Sequence, residues 1–150
     1  MAARNHVVDA AAAFREIALH WPGDELADDA LWNVGACYLA MSQQQRAVAA
    51  FREVIERYPD ADIHPSDERG ESGRTAAKAW LGIVTARLGL GDIEGARQAC
   101  DELANYPDSK VEPPHGEARS FHDIGRAIIA AALHPDHVAD HISPDDIAAG

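Results

Sequence analysis

Positive charge is scarce in this sequence. Thirteen Lys and Arg stand against 25 Asp and Glu among 150 residues, a net charge of −12 with histidine neutral. A nucleic-acid partner needs a basic surface to neutralise phosphates, and so does an anionic lipid surface. The composition argues against both. Long apolar runs are also missing: none approaches the ~20 residues that a membrane span requires. The first residues do not read as a signal peptide. Their apolar stretch is broken by Asp9 and followed at once by Arg15 and Glu16. A cytoplasmic protein is the default expectation, or a periplasmic one if the chain is processed. Aromatics make up only 6% of the residues, and cysteines number two. Cys37 and Cys100 sit near no other Cys and in no metal spacing. Both fall on apolar helix faces, the pattern of small buried thiols, with a disulfide as the alternative.

Known catalytic signatures are absent too. There is no P-loop and no GxGxxG. Gly70-Glu71-Ser72-Gly73 resembles a nucleophile elbow but lacks its closing Gly and a preceding strand. The acidic stretch with Asp60, Asp62, Asp67 and Glu68 lacks the register of a calcium loop. His134, His137 and His141 offer one pair at a helical-turn spacing, with Asp136 or Asp140 as oxygen ligands. Structural zinc wants four definite ligands, so a solvated acidic tail is the better reading of residues 134–150. Neither an enzyme nor a cofactor or metal is expected.

What the chain does contain is a repeat. Residues 10–22 read AAAAFREIALHWP and residues 47–59 read AVAAFREVIERYP, aligned without a gap at an offset of 37. Periods of roughly 20–50 residues mark stacked supersecondary units. The unit can be read directly. Leu31, Val34, Tyr38 and Met41 recur at helical spacing, beside small Ala30, Gly35, Ala36 and Cys37. After Ser42-Gln43-Gln44, a second helix carries Ala47, Val48, Phe51, Val54, Ile55 and Tyr58, and Pro59 ends it. Gly35 and Ala47 allow two helix backbones to approach closely.

The order Leu31-x2-Val34-Gly35-x2-Tyr38, Ala47-x3-Phe51, Pro59 resembles the tetratricopeptide repeat, with Leu31 in place of the usual first Trp. DDALWNVGACYL followed by AFREVIERYPDA is similar in flavour to the repeats of bacterial envelope proteins such as the Tol-Pal coordinator. A second unit follows with Trp80, Ile83, Val84, Arg87, the Gly91-Asp92 turn, Ala96, Cys100, Leu103 and Pro107. Val84 replaces the close-contact Gly, Cys100 the Phe, and Pro107 comes one residue early. The expected organisation is a half repeat at 8–22, repeats at 28–61 and 76–108, a half repeat at 118–133, and the tail. The last half is read from Phe121-x2-Ile124-Gly125-x2-Ile128. The fold expected is all-α, an antiparallel helix-pair solenoid of about six main helices. Residues 60–74 and 105–117 read as surface loops, longer than the roughly 4–6 residues typical of such connections.

In such arrays the first helices of successive units line a concave face that binds extended partners. The resemblance places on it Asp29, Trp32, Ala36 and Leu39 of the first unit, and Lys78, Leu81, Thr85 and Leu88 of the second. The final half adds Arg119, His122, Arg126 and Ile129. This face runs from acidic and apolar to basic. Trp32 is the candidate anchor, since aromatics dominate binding hot spots; it could instead pack within the helix array. Asn33, Lys78 and Arg126 loosely echo the carboxylate clamp of chaperone-tail binders, although the first unit lacks the needed Lys. The resemblance implies a protein-interaction module, a scaffold or adaptor that takes a peptide or helix of a partner. The alternative is a self-assembling subunit of a homo-oligomer joined through exposed solenoid ends.

Overall fold

The computed structural model describes residues 2–64 and 70–134. Asp67, Glu68, Asp136, His137, Asp140 and His141 lie outside them. Six helices follow one another: α1 Ala2–His20, α2 Ala27–Ala40, α3 Gln44–Arg57, α4 Thr75–Gly89, α5 Ile93–Glu102 and α6 Phe121–Leu133. They pack as antiparallel pairs, α2 on α3 and α4 on α5, with α1 and α6 at the two ends. The helical solenoid expected from the repeat is therefore the observed architecture.

Phe51 explains the stacking. Its side chain is fully buried, wedged between α2 and α4. A β-carbon at Gly35 would stand 2.5 Å from its ring, and one at Gly82 would stand 2.6 Å from it. Two helices can close on this one aromatic only because both present glycine to it. The second unit fills the same space differently. Val84 stands at the position of Gly35 and Cys100 at that of Phe51, and both are buried in the same core cluster. A larger residue on one helix is offset by a smaller one on its partner, which keeps the interior close-packed.

The turns inside the two units are also equivalent. In the second, Gly91 (φ 76°) ends α4, and the Asp92 N–H donates to the Arg87 carbonyl at 2.9 Å. In the first, Ser42 (φ 58°) ends α2, and the Gln43 N–H donates to the Tyr38 carbonyl at 2.8 Å. A left-handed residue at this place is normally glycine, because a β-carbon there crowds the backbone. Ser42 is exposed and its hydroxyl does nothing that a glycine would forfeit. Ser42→Gly should therefore stabilise the protein by about 0.5–1 kcal/mol, read as a raised midpoint in urea with an unchanged slope.

Among the described residues, the two long connections are not irregular throughout. They supply β1 Glu71–Ser72, β2 Lys110–Val111 and β3 Arg119–Ser120, a small antiparallel sheet in the order β1-β2-β3. Glu71 pairs with Val111, and Lys110 pairs with Ser120. Gly73 (φ 108°) lets β1 lie against the buried Ser109, whose hydroxyl accepts from the Arg74 N–H at 3.1 Å. The elbow-like glycines thus serve a turn into a strand. The sheet rests beside a second apolar cluster of Ala77, Leu103 and Phe121, flanked by Ile63, Tyr106 and Val111. After Glu102 the chain tightens into a 3-10 turn, Leu103–Asn105, and this accommodates the early Pro107.

Candidate functional site

The first helices of the units, α2, α4 and α6, lie side by side, with α4 touching both of the others. The residues named from the resemblance fall into three groups along them.

The first group is absorbed into packing. Trp32 is half-buried, its ring 5.9 Å from that of Phe51 and tilted by 47°. Lys78 covers its other side, with Nζ 3.8 Å from the ring centroid, a distance at which a cation is attracted to the π face. The same ammonium stands 3.3 Å from Glu71 Oε1, and both side chains are largely removed from water. Lys78 is thus no open groove cation, which corrects its expected place. It joins α4 to β1 and holds the indole. The indole Nε1 is buried without a hydrogen-bond partner among the described residues. Beside it, the buried Thr75 hydroxyl donates to Asp28 Oδ2 at 2.5 Å, tying α4 to α2 through a polar contact. Asn33 Nδ2 donates to Asp29 Oδ2 at 3.2 Å and to the Asp29 carbonyl at 2.9 Å. The clamp-like trio is therefore dispersed: Asn33 is engaged by Asp29 and Lys78 by Glu71.

The second group is available. Ala36 is half-buried on α2, and Thr85 is exposed at the equivalent place on α4. Leu39 and Leu88 are half-buried and pack against the main core, while Leu81 packs against the smaller cluster. Arg119 is exposed at β3. Together they make up the candidate strip, with Leu39, Leu81 and Leu88 as its apolar residues on α2 and α4 and Arg119 at the sheet.

The third group is displaced. A β-carbon at Gly125 would meet Cys100 Sγ at 3.1 Å, as one at Gly82 would meet the ring of Phe51. Gly125 is therefore the counterpart of Gly82, not of Val84, and α6 sits two residues out of register with its motif. As a result His122, Arg126 and Ile129 do not continue the strip. They line a cleft of about 520 Å³ against Glu94, Arg97, Cys100 and Asp101 of α5. Ile129 is buried there, and the Cys100 thiol points at the His122 carbonyl across 3.8 Å. The α6 residues that pack beside Leu81 and Leu88 are Ile124 and Ile128. Sequence reading took these two as motif positions of the final half repeat.

Glu71 was also missed. It lay in a stretch read as a surface loop, where the flanking Gly70 and Gly73 hinted at a built turn. Both have positive φ, and a β-carbon at Gly70 would collide with the Glu112 carbonyl.

Few groups are electrostatically perturbed. The Asp92 carboxylate caps α5, accepting from the Gly95 N–H at 2.9 Å and standing 3.0 Å from Arg87 Nη1. These contacts, the backbone hydrogen bond foremost, hold its pKa below the ordinary aspartate value. Both cysteines are free thiols, Cys37 half-buried and Cys100 buried. Burial raises the pKa of each, so neither has the thiolate character of a nucleophile. Among the described residues no three His, Cys, Asp or Glu side chains converge as a metal site, and no helix is long and apolar enough to cross a membrane.

No curated protein matches the chain. The similarity to envelope proteins such as the Tol-Pal coordinator therefore rests on residue flavour and has no support from a relative. The family model that does match is the tetratricopeptide repeat, over a segment with most of α2, all of α3 and the Phe51 wedge. Residues 29–61 of this chain are a tetratricopeptide repeat.

Proposed function

We propose that the chain is a scaffold or adaptor that holds an extended peptide or a helix of a partner protein along the strip formed by α2, α4 and α6. A tetratricopeptide repeat points in general to protein interaction, and repeat solenoids use such continuous faces for that purpose. The observation that carries the finer reading is the strip itself: Ala36, Leu39, Leu81, Thr85 and Leu88 lie on adjacent helices, with Asp29 towards one end and Arg119 towards the other. Trp32 contributes as a rigid wall, because Phe51 and Lys78 fix it from two sides. A partner segment suited to this strip is apolar at its centre, with an acidic residue where it passes Arg119.

The test uses the two small residues of the strip, neither of which belongs to a core cluster. Ala36→Arg and Thr85→Arg each place a long cation on the strip without touching Phe51. Capture of partner protein from the source lysate should fall by at least about tenfold for each variant, a loss of roughly 1.4 kcal/mol or more. Their unfolding midpoints should stay at the wild-type value. Undiminished capture by both folded variants would place the binding surface elsewhere.

A further inference from the structure

Between Asp29 and Arg119, the donors that could serve a bound backbone on the strip are already engaged. Asn33 Nδ2 donates twice to Asp29, and the Lys78 ammonium faces Glu71. The Thr85 hydroxyl donates to the Leu81 carbonyl of its own helix at 3.3 Å. The Trp32 indole N–H is buried and cannot reach a bound segment. His122 and Arg126 line the cleft against α5. An extended segment would therefore lay its backbone polar groups on a surface that does not pair with them, and such groups cost free energy when removed from water unpaired. A helix arrives with its backbone already paired.

The register of α6 supplies the rest of the surface. Ile124, Ile128 and Ala131 follow one another at intervals of four and three residues and so share one helix face. Ile124 packs with Leu81 on the smaller cluster, and Ile128 with Leu39 and Leu88 on the main one. Both isoleucines are only half-buried, and Ala131 is exposed. Aliphatic side chains thus take the part of the strip that the resemblance gave to His122 and Arg126. Three helices packed side by side, about 8–10 Å apart, span roughly 20 Å, the length of about 13 helical residues.

Charge decides what flanks the apolar face of such a helix. α2, α4 and α6 begin along one edge: Thr75 of α4 bonds to Asp28 of α2, and β1 and β3, which lead into α4 and α6, share one sheet. At the start of α2 stand Asp24, Glu25 and Asp29, and residues 21–31 hold no Lys or Arg. Lys78 faces Glu71 and Arg74 faces Asp62, so those charges cancel. Around β3, Lys110 and Arg119 stand against Glu112, Glu117 and Asp123. The edge is net acidic, most of all at α2. We infer that the partner segment is an amphipathic α-helix, aliphatic on one face and carrying Lys or Arg where it passes the start of α2, and that Ile124, Ile128 and Ala131 are its contacts on α6. This rests on the strip being the binding surface. A helix held in this way presents its anchors at i, i+3, i+4 and i+7.

The test is binding of two labelled peptides to the full chain, followed by fluorescence anisotropy. Both contain the same numbers of Leu and Lys. In one, Leu recurs at helical spacing; in the other, it recurs at every second position. The helical order should bind at least about tenfold more tightly. Replacing its Lys by Glu should weaken it. Ala131→Arg should also weaken it at least about tenfold. Ala130→Arg is the matched control, the same change one residue away on the side that lines the cleft, and should leave binding unaltered. Both alanines are exposed, so both variants should remain folded by circular dichroism. Tighter binding of the alternating peptide, lost in Thr85→Arg, would overturn the inference while keeping the strip as the binding surface. Binding of the helical peptide that survives both Ala131→Arg and Thr85→Arg would overturn the inference and the strip together. A loss caused by Ala130→Arg instead of Ala131→Arg would put the helix in the cleft and contradict the inference. So would a wild type that binds neither peptide, and the strip would then stand or fall on the Ala36→Arg capture.

Discussion

Phe51→Ala is expected to destabilise the protein by about 3–5 kcal/mol, the range for removing a buried aromatic whose cavity cannot collapse. Total stabilities of domains are of the order of 5–15 kcal/mol, so the variant should be partly unfolded at room temperature. The reason is specific to the repeat. The ring is fully buried and separates α2 from α4, each of which contributes a glycine to it. With only Ala at 51, neither Gly35 nor Gly82 offers a side chain to fill the space. Urea unfolding followed by circular dichroism gives the loss directly. Phe14 supplies the control, because it occupies the same place in the repeat but lies half-exposed on α1. Phe14→Ala should cost well under half as much. Equal losses at the two positions would mean that the wedge is not what holds the stack together.

Lys78→Met is the second large effect. The substitution keeps an aliphatic stem over Trp32 and removes the ammonium that stands 3.3 Å from Glu71. Glu71 is then left in a position where its side chain is only 10% exposed. Breaking a buried pair from one side typically costs about 3–5 kcal/mol, whereas replacing both partners is often close to neutral. The double variant Lys78→Met with Glu71→Gln should therefore recover most of what the single variant loses. A double-mutant cycle in urea measures the coupling. Simple addition of the two single losses would show that the charges are held independently of each other.

The architecture was legible because its signals are periodic. Thirteen aligned residues and a Pro after each second helix located α1 and α3, and helical spacing located α2. Helix spacing and the Gly91-Asp92 turn located α4 and α5. Three features were not legible, each for a physical reason. Strands of two residues have no alternation to detect, so β1, β2 and β3 looked like loop. The register of α6 was taken from Phe121 and Ile124, which match the repeat in kind. Contact with Cys100 instead moves Gly125 to the place of Gly82. The fate of Lys78 depended on Glu71, seven residues away in sequence but on a strand that forms only when the two long connections meet. The helices α2 and α4 that carry the candidate strip were legible because the repeat is regular there. The surroundings of Lys78 and the register of α6 were not, because tertiary contacts decide them.

The central claim is that this protein works by binding another protein along the strip of first helices. The most direct measurement is site-specific photocrosslinking in the source cells, with the crosslinker placed at Thr85 on the strip or at Gln98 on α5, both exposed. A discrete adduct from Thr85, absent from Gln98 and lost when Ala36→Arg is added, is the result predicted. Adducts of equal yield from both positions, or an adduct confined to Gln98, would contradict it.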